Sequence, residues 1–322
     1  MSDDIDVLLL RRGVHGIPTD EYAAALRERL PDVPVRLART PADERSMIES
    51  ATVVSGLDVD EPLLDRAGEL KLFAGVYAGT DHLPLDRLAE AGVTVTNASG
   101  VHGPNVSEHA IGAVLSFALR FREGRDRQDR REWRSYRTNE LYGSTVTVVG
   151  MGDIGTAVLE RLDGFGVETV GVRHSPEKGG PADEVVGYDA FQDVLARTEY
   201  LILACPLTPE TRELVDEAAF ETLPSSAVLV NVARGPVVST DALVAALRSH
   251  QLRGASLDVT DPEPLPADHP LWTFENVQIT PHNAGHTPAY YQRLADIVAA
   301  NVEALRDGVD PAALRNVVVT GD

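Results

Sequence analysis

The sequence predicts an α/β protein built from two doubly wound domains, each with a parallel sheet. Short apolar, β-branched runs alternate with helical segments in two separate series, which is typical of parallel βαβ units. The chain has 322 residues, 43% of them hydrophobic, which is long enough for two cores. A glycine-rich turn at residues 150–155 joins a strand-like run to a helical segment in the second series.

The first series contains five strand-like runs, at residues 5–10, 33–38, 52–54, 71–76 and 93–96. Segments of helical periodicity, such as 19–30 and 85–91, separate these runs. Residues 288–306 have an apolar helical face and are expected to return to this first domain. We therefore predict a discontinuous first domain formed by residues 1–100 and 288–322.

The second series predicts a second parallel sheet. Its strand-like runs are residues 145–149, 168–172, 200–204, 227–231, 254–259 and 277–280. Residues 104–120 have apolar side chains at helical spacing, so we expect a long helix that passes from one domain to the other. The second domain is predicted to span residues 101–287.

A glycine fingerprint follows the first strand of this second series: Gly150-Met151-Gly152-Asp153-Ile154-Gly155. The first glycine permits a tight turn, the second lets the backbone approach a pyrophosphate, and the third lets helix and strand pack closely. The anion would lie at the N-terminus of the helix that Asp153 and Ile154 begin. The motif predicts a Rossmann-like dinucleotide-binding domain, against the alternative of a glycine-rich turn that binds nothing.

The residue at the end of the next strand favours NADPH over NADH. NAD-binding folds usually place an acidic residue there to hold the ribose 2′-hydroxyl, but this chain has Arg173, followed by His174 and Ser175. An arginine pairs with a 2′-phosphate and a serine hydroxyl donates to it. NAD remains the alternative cofactor, since a strand-end arginine can also be indifferent to the phosphate.

Composition excludes some partners. The chain has 50 acidic and 29 basic residues, a net charge of −21, and this balance disfavours nucleic acid and anionic membranes. Only Lys71 and Lys178 are lysines among those 29. The near absence of lysine favours adaptation to a salt-rich cytoplasm, where charge repulsion is screened within ~3 Å at 1 M salt. A mildly acidic, arginine-biased mesophilic enzyme is the alternative.

The sequence further predicts a cytoplasmic protein without metal or disulfide. Residues 1–6 lack the basic region of a signal peptide, and no apolar run is long enough for a membrane span. The single cysteine, Cys205, excludes an intramolecular disulfide and is expected to be a small buried residue. His282 and His286 are four apart, but a neighbouring proline and glycine favour a loop over a metal-binding helix.

Residues 120–137 form a basic segment in this acidic protein. The segment contains eight arginines together with Trp133 and Tyr136. A nucleic-acid surface is conceivable, but the net charge favours a solvated or subunit-contact segment. We therefore expect self-association, as a homodimer.

Three residues that fit hydride transfer to a 2-oxo acid follow strands of the second series: Arg234, Glu263 and His282. Open α/β sheets place ligands at the carboxyl ends of their strands, so these side chains are expected to converge. In this region the chain resembles the D-isomer-specific 2-hydroxyacid dehydrogenases. The shared segments are CPLT at 205–208, NVARG at 231–235, LDV…EP at 257–264 and PHNAG at 281–285, and the resemblance covers nearly the whole chain.

The resemblance implies two Rossmann-like or flavodoxin-like domains with a cleft between them, and reduction of 2-oxo acids to D-2-hydroxy acids. Arg234 would bind the carboxylate and carbonyl oxygen of the substrate. His282 would protonate the developing alkoxide, and Glu263 would hold the imidazole and favour its charged form. Near alternatives are a glyoxylate/hydroxypyruvate reductase and a phosphoglycerate dehydrogenase-like enzyme. A dinucleotide-sensing, corepressor-like binding protein is the alternative from another class.

The resemblance also implies substrate contacts in the first domain. Backbone N–H groups of Ala78 and Gly79 would bind the substrate carboxylate in the segment 76–81. Ser55 and Tyr77 would contribute to the pocket wall.

Further cofactor contacts follow from the same resemblance. Asp258 matches the acid that contacts the nicotinamide carboxamide, although a strand-end turn residue is the alternative. Pro206 and Thr211, with Cys205, lie in the loop that borders the cofactor phosphates in relatives. Ala233 precedes the substrate-binding arginine and is expected to contact the cofactor as well.

Overall fold

The computed structural model describes residues 5–80 and 82–321. Three parts of the chain lie outside the described residues: residues 1–4, Asp81 and Asp322. The first of these belongs to the segment 1–6, which was compared with a signal peptide, and Asp81 belongs to the segment 76–81. The chain divides into two compact units, residues 1–101 with 286–322, and residues 102–285. The substrate-binding and dinucleotide-binding roles of the two units stay predictions.

The described strands, in chain order, are β1 (Val7–Leu9), β2 (Val35–Leu37), β3 (Val53–Gly56), β4 (Leu72–Gly75), β5 (Thr94–Thr96), β6 (Thr145–Val149), β7 (Glu168–Val172), β8 (Glu184–Val186), β9 (Tyr200–Leu203), β10 (Val228–Asn231), β11 (Gly254–Leu257), β12 (Val277–Ile279) and β13 (Val317–Val319). The described α-helices are α1 (Thr19–Arg29), α2 (Pro41–Met47), α3 (Glu61–Leu64), α4 (Leu85–Glu90), α5 (Gly103–Ala118), α6 (Phe121–Asp129), α7 (Asp153–Leu162), α8 (Phe191–Leu195), α9 (Glu217–Thr222), α10 (Thr240–Arg248) and α11 (Tyr290–Arg306).

The first unit has a six-stranded sheet of order β13-β5-β4-β3-β1-β2. Strands β1 to β5 pair in parallel, and their order 2-1-3-4-5 is the flavodoxin-like arrangement. Each predicted strand of the first series is present, within a few residues of its expected ends. Strand β13, which pairs antiparallel with β5, was not predicted.

Tyrosines of α11 connect distant parts of the first unit. This helix packs on α1, and together they cover one face of the sheet. The Tyr291 hydroxyl accepts a hydrogen bond from the Val14 N–H at 3.0 Å, and Tyr290 donates to the carbonyl oxygen of Val76. Burial raises the pKa of the Tyr290 phenol above its ordinary range. Both hydroxyls therefore hold loops that follow strands of the sheet.

The second unit has a seven-stranded parallel sheet of order β12-β11-β10-β9-β6-β7-β8. Strand β6 lies between β7 and β9, so the strand order reverses at β6 and β9. This topological switch point is where doubly wound sheets bind ligands, and the glycine fingerprint begins directly after β6. Two doubly wound sheets confirm the predicted α/β fold class. The edge strand β8 was not predicted.

The helix predicted over 104–120 is shorter than expected and lies wholly in the second unit. Helix α5 ends at Ala118, and Arg120 takes a left-handed conformation with φ of 51° before α6 begins. The basic segment is therefore partly helical. Helix α5 packs against α7 on one face of the sheet. Among the described residues no helix is both long and apolar enough to cross a membrane.

Helix α7 packs closely against the turn after β6 at Gly155. A Cβ atom at Gly155 would lie 1.8 Å from the carbonyl oxygen of Gly150, and both groups belong to the backbone. We expect Gly155→Ala to lower the free energy of unfolding by about 3 kcal/mol or more, because the helix must move away from the strand. Thermal or denaturant unfolding of the purified variant measures this.

Gly152→Ala is the matched control. A Cβ at Gly152 has no heavy atom within 4 Å, and its φ of −82° suits alanine. We expect its unfolding free energy to stay within about 1 kcal/mol of wild type. Equal stability of the two variants would contradict the steric argument at Gly155.

Candidate active site

A pocket of about 610 Å³ lies at the switch point of the second unit. It is bordered by the turn after β6, the loop after β7 and the loop after β9. The lining residues that the sequence predicted are Gly150, Gly152, Arg173, His174, Ser175, Pro206 and Thr211. The lining also includes residues that sequence reasoning missed: Met151, Lys178, Tyr188, Thr208, Pro209 and Glu210.

The pocket fits a dinucleotide on geometric grounds. The open space above Gly152, where a side chain would meet no protein atom, is the space that a pyrophosphate needs for close approach to the backbone. Helix α7 begins at Asp153, so its unpaired N–H groups lie at this turn. Ile154 follows in the first turn of the helix, partly buried on the core. The residues present therefore fit the anionic centre of a dinucleotide.

Internal hydrogen bonds hold the loops around the pocket. The Arg173 guanidinium donates to the carbonyl oxygen of Gly179 at 2.7 Å. The buried Thr211 hydroxyl donates to the Pro206 carbonyl at 2.6 Å and thereby closes the loop after β9. His174 Nδ1 lies 2.9 Å from the Glu210 carboxylate, which joins the loops after β7 and β9.

Two predicted cofactor residues are buried in the structure. The Cys205 thiol lies in the core, where burial raises its pKa to about 11, and its backbone packs against Gly150. Ala233 is also buried, and its N–H donates to the Asn231 side chain. Neither residue is among the described residues that line the pocket, so contact with the cofactor stays a prediction for both.

An imidazole–carboxylate pair lies at the carboxyl edge of β11 and β12. His282 Nδ1 is 2.6 Å from Glu263 Oε1, and both side chains are about half exposed, at 53% and 41%. The second ring nitrogen, Nε2, is thereby left to face other groups, which is the geometry of an oriented general acid or base. The structure brings these two predicted residues together although nineteen positions separate them.

Asp258 holds the loop that carries His282. Its buried carboxylate accepts hydrogen bonds from the backbone N–H groups of Asn283 at 2.8 Å and Ala284 at 3.0 Å, and from the Thr280 hydroxyl. The His282 N–H donates to the Asp258 carbonyl at 2.8 Å. His282 has a φ of 52°, a conformation that is strained for a non-glycine residue and that these bonds maintain.

The observed role of Asp258 is structural, and its expected contact with the nicotinamide carboxamide stays a prediction. Thr280 was missed at the sequence level. The available signal was a polar residue directly after a strand and before a Pro-His pair. Its partner, Asp258, follows a different strand and is distant in the sequence.

A second pocket, of about 390 Å³, lies beside this pair. Glu263, His282 and Asp258 line it together with Trp272, whose indole donates to the Pro266 carbonyl. Arg234 is not among the described residues that line this pocket.

Arg234 follows the adjacent strand β10, and its guanidinium donates to the Ala233 carbonyl at 2.7 Å. The neighbouring Gly235 permits a close approach of two loops, since a Cβ there would lie 2.0 Å from the Thr260 carbonyl oxygen. The Arg234 loop therefore packs against the segment that leads to Glu263. Among the described residues, no group of three or more His, Cys, Asp or Glu side chains is placed to hold a metal ion.

The first unit requires one correction. Ser55 was expected to contribute to the substrate pocket, but its side chain is buried, pairs with the Tyr22 hydroxyl at 2.9 Å and donates to the Ala74 carbonyl at 2.9 Å. Its hydroxyl therefore stabilises the sheet and is unavailable to a ligand.

The loop after β4 is held through its carbonyl groups. Asn97 donates to the Ala78 carbonyl at 2.7 Å, and the Ala98 N–H donates to the Tyr77 carbonyl at 3.1 Å. Tyr77 is partly exposed, with its ring edge-on to those of His15 and His82. Gly79 is exposed and has open space around its Cα. The loop therefore presents its outer side to solvent within this unit.

Comparisons with known proteins identify the family of this chain. A model of the D-isomer specific 2-hydroxyacid dehydrogenase NAD binding domain matches residues 111–284. A glyoxylate reductase of Thermofilum pendens is 35% identical over 267 residues, which cover 80% of this chain and 78% of the relative.

Solved structures show the same likeness. A D-isomer specific 2-hydroxyacid dehydrogenase family protein from Aeromonas salmonicida superposes with a TM-score of 0.82 at 30% identity, covering 98% of this chain and 99% of that one. A D-isomer specific 2-hydroxyacid dehydrogenase from Xanthobacter autotrophicus, in complex with NADPH and MES, gives a TM-score of 0.80 at 27% identity, covering 98% of each chain.

The matching family model and the similar proteins define an oxidoreductase that uses a nicotinamide dinucleotide. The chain belongs to the D-isomer-specific 2-hydroxyacid dehydrogenase family. The resemblance that the sequence motifs predicted is thereby confirmed, and so is the enzyme class.

Proposed function

We propose that the protein reduces 2-oxo acids to D-2-hydroxy acids with NADPH as the preferred cofactor. The observation that carries this proposal is the His282–Glu263 pair, 2.6 Å apart, in loops that follow strands of the sheet whose switch point borders the larger pocket. An imidazole that is oriented by a carboxylate can deliver a proton to the oxygen of a carbonyl as that oxygen gains charge. Nε2 of His282 is the donating atom in this proposal.

Arg234 binds the substrate in the same proposal. Its planar guanidinium matches the planar carboxylate and adjacent carbonyl of a 2-oxo acid and holds them in one orientation. When bound, the nicotinamide cofactor supplies the hydride. Glu263 keeps Nδ1 of His282 engaged, so that the proton moves only at Nε2.

The loop after β4 provides the substrate contacts that we assign to the first unit. Its carbonyl groups at Val76, Tyr77 and Ala78 accept hydrogen bonds within the unit, which supports the use of N–H groups of Ala78 and Gly79 as donors to the substrate carboxylate. Because the Ser55 side chain is buried, Tyr77 is the side chain of this unit that we still assign to the proposed substrate site.

A small 2-oxo acid is the proposed substrate class. The similarity to the Thermofilum pendens protein, which is named a glyoxylate reductase, supports glyoxylate or hydroxypyruvate as the compounds to test first. The pocket beside His282 is modest in volume, and the Trp272 ring limits one side of it. A phosphoglycerate dehydrogenase-like activity is the alternative that the same panel tests.

The catalytic assignment is tested by substitution. We expect His282→Ala to lower kcat for reduction by about 10²- to 10⁴-fold, because the proton donor is removed. Arg234→Ala is expected to raise KM for the acid and lower kcat together, and Arg234→Lys to restore only part of both, since lysine keeps the charge but loses the fork. Loss of reduced-cofactor absorbance gives these rates.

Arg248→Ala, an exposed arginine at the end of α10, is the matched control and is expected to retain the wild-type rate. Near wild-type kcat in the His282 or Arg234 variant removes that residue from the mechanism.

Cofactor preference is tested with a panel of 2-oxo acids. We expect a higher kcat/KM with NADPH than with NADH, because Arg173 and Ser175 line the pocket at the strand end where an acidic residue would repel a phosphate. Arg173→Ala is expected to lower kcat/KM for NADPH while leaving that for NADH nearly unchanged. If the wild-type enzyme uses NADH equally well or better, the assignment of Arg173 and Ser175 to the 2′-phosphate is wrong. The enzyme class would not be affected by that result.

We also propose that the protein is a homodimer adapted to high salt. Trp133 and Phe121 of the basic segment are exposed, at 105% and 57%, which marks an interaction surface. The eight arginines of this segment complement the negative charge of a second copy of the chain. Some of them are paired locally, as in Arg127 with Glu123 at 2.6 Å.

Sedimentation velocity in dilute and molar salt tests both statements. We expect a dimer for wild type and weaker association for Trp133→Ala, with Trp272→Ala as a control that leaves the mass unchanged. We expect the folded fraction to fall in dilute buffer, because self-repulsion of the acidic surface is then unscreened. A stable monomer at both salt concentrations contradicts the two statements together.

A further inference from the structure

Among the described residues that line the switch-point pocket is one carboxylate, beside two cationic side chains and an imidazole. Arg173, His174 and Lys178 line the pocket from the loop after β7, and Glu210 lines it from the loop after β9. A site for a phosphate monoester has no use for a carboxylate, because the two anions repel each other. Glu210 therefore has a different effect on ligand binding from that of Arg173 and Lys178.

Lys178 strengthens the phosphate character of this pocket. The chain has only two lysines among its 29 basic residues, and one of them lines the pocket. Lys178 lies in the short helical turn that follows Ser175, directly before Gly179, whose carbonyl accepts from Arg173. A compact ammonium and a guanidinium thus lie on the same loop, which suits a dianionic ligand.

Glu210 is engaged with the imidazole of His174. Its Oε2 atom lies 2.9 Å from Nδ1 of His174, and the two side chains are 49% and 78% exposed. An ion pair this exposed contributes little to stability, so its effect on the pocket matters more than its effect on the fold. The contact holds His174 toward the loop after β9 and keeps the carboxylate on the pocket wall.

We propose that Glu210 determines cofactor selectivity by opposing the 2′-phosphate and by holding His174 away from it. The unphosphorylated dinucleotide thereby stays competitive at a strand end whose other charged residues favour NADPH. This inference rests on the proposed function, in which the pocket holds the adenosine ribose. It assigns Glu210 as a specificity-determining residue that acts on binding and takes no part in proton or hydride transfer.

The expected size of the effect follows from electrostatics. A phosphate monoester carries about −1.5 to −2 charges at neutral pH, and the ribose hydroxyl of the other cofactor carries none. Repulsion between like charges across a solvated pocket weakens binding of the phosphorylated ligand by about fivefold. The difference must shrink as salt is added, because the pocket is open to solvent.

Binding of two cofactor fragments to the full-length enzyme tests the proposal. Isothermal titration calorimetry with 2′,5′-ADP and with 5′-AMP, at the lowest salt that keeps the protein folded, measures phosphate recognition without turnover. We expect Glu210→Gln to bind 2′,5′-ADP about fivefold more tightly than wild type and to bind 5′-AMP within about twofold of it. We expect Lys178→Ala to change 2′,5′-ADP affinity in the opposite direction.

Glu213→Gln is the matched control, because it removes the same charge from the same loop but does not line the pocket. Its affinities are expected to equal those of wild type. An unchanged ratio of 2′,5′-ADP to 5′-AMP affinity in Glu210→Gln overturns the proposal, and so does an equal change in Glu213→Gln. A gain that persists in molar salt overturns it too, because screening must reduce an electrostatic effect.

Failure of this inference and of the proposed function can be told apart. If wild type binds neither fragment while it reduces 2-oxo acids with NADPH, the pocket is not the adenosine site and only this inference fails. If wild type binds both fragments, Glu210→Gln shifts selectivity as expected, and no 2-oxo acid is reduced, the inference stands and the proposed reaction fails.

Discussion

The buried carboxylate of Asp258 is the interaction on which the active-site geometry depends. It comes at the end of β11 and binds two consecutive N–H groups and a hydroxyl of the loop after β12. Those bonds keep His282 in a left-handed backbone conformation that it would not adopt by itself. Its imidazole then contacts Glu263, which lies in the segment that follows β11. The rigid sheet thus fixes the loop, and the loop fixes the imidazole that we propose as the proton donor.

The sequence predicted the parts of the fold that follow from periodicity. Strands such as β6 and β7 were predicted to their observed ends because runs rich in β-branched residues are strong signals. Helix α5 was expected to continue to residue 120, but a left-handed Arg120 interrupts it, and no glycine or proline marks that break. The contact between His282 and Glu263 was predictable from their motifs. Ser55 was misassigned and Glu210 was missed, because tertiary partners decide what both side chains do.

Charge is distributed unevenly in this acidic protein. Arginines of the basic segment are offset by nearby acids, as in the pair of Arg125 and Asp129 at 3.2 Å. The loop after β7 collects an arginine and a lysine at a pocket, although the chain as a whole carries a net charge of −21. A negative surface repels an anionic cofactor at long range, so local cations must supply the attraction at short range. High salt weakens the long-range repulsion by the negative surface and so permits the short-range attraction by the local cations.

The tyrosine contacts of α11 have a consequence for synthesis on the ribosome. Tyr291 binds the backbone of Val14, which lies 277 positions earlier, and Tyr290 binds that of Val76. The first hundred residues therefore emerge long before the helix that covers one face of their sheet. The continuous unit, residues 102–285, can complete its core in the meantime. The portion made first is thus the last to become native, and its uncovered apolar face must stay shielded from other nascent chains until α11 arrives.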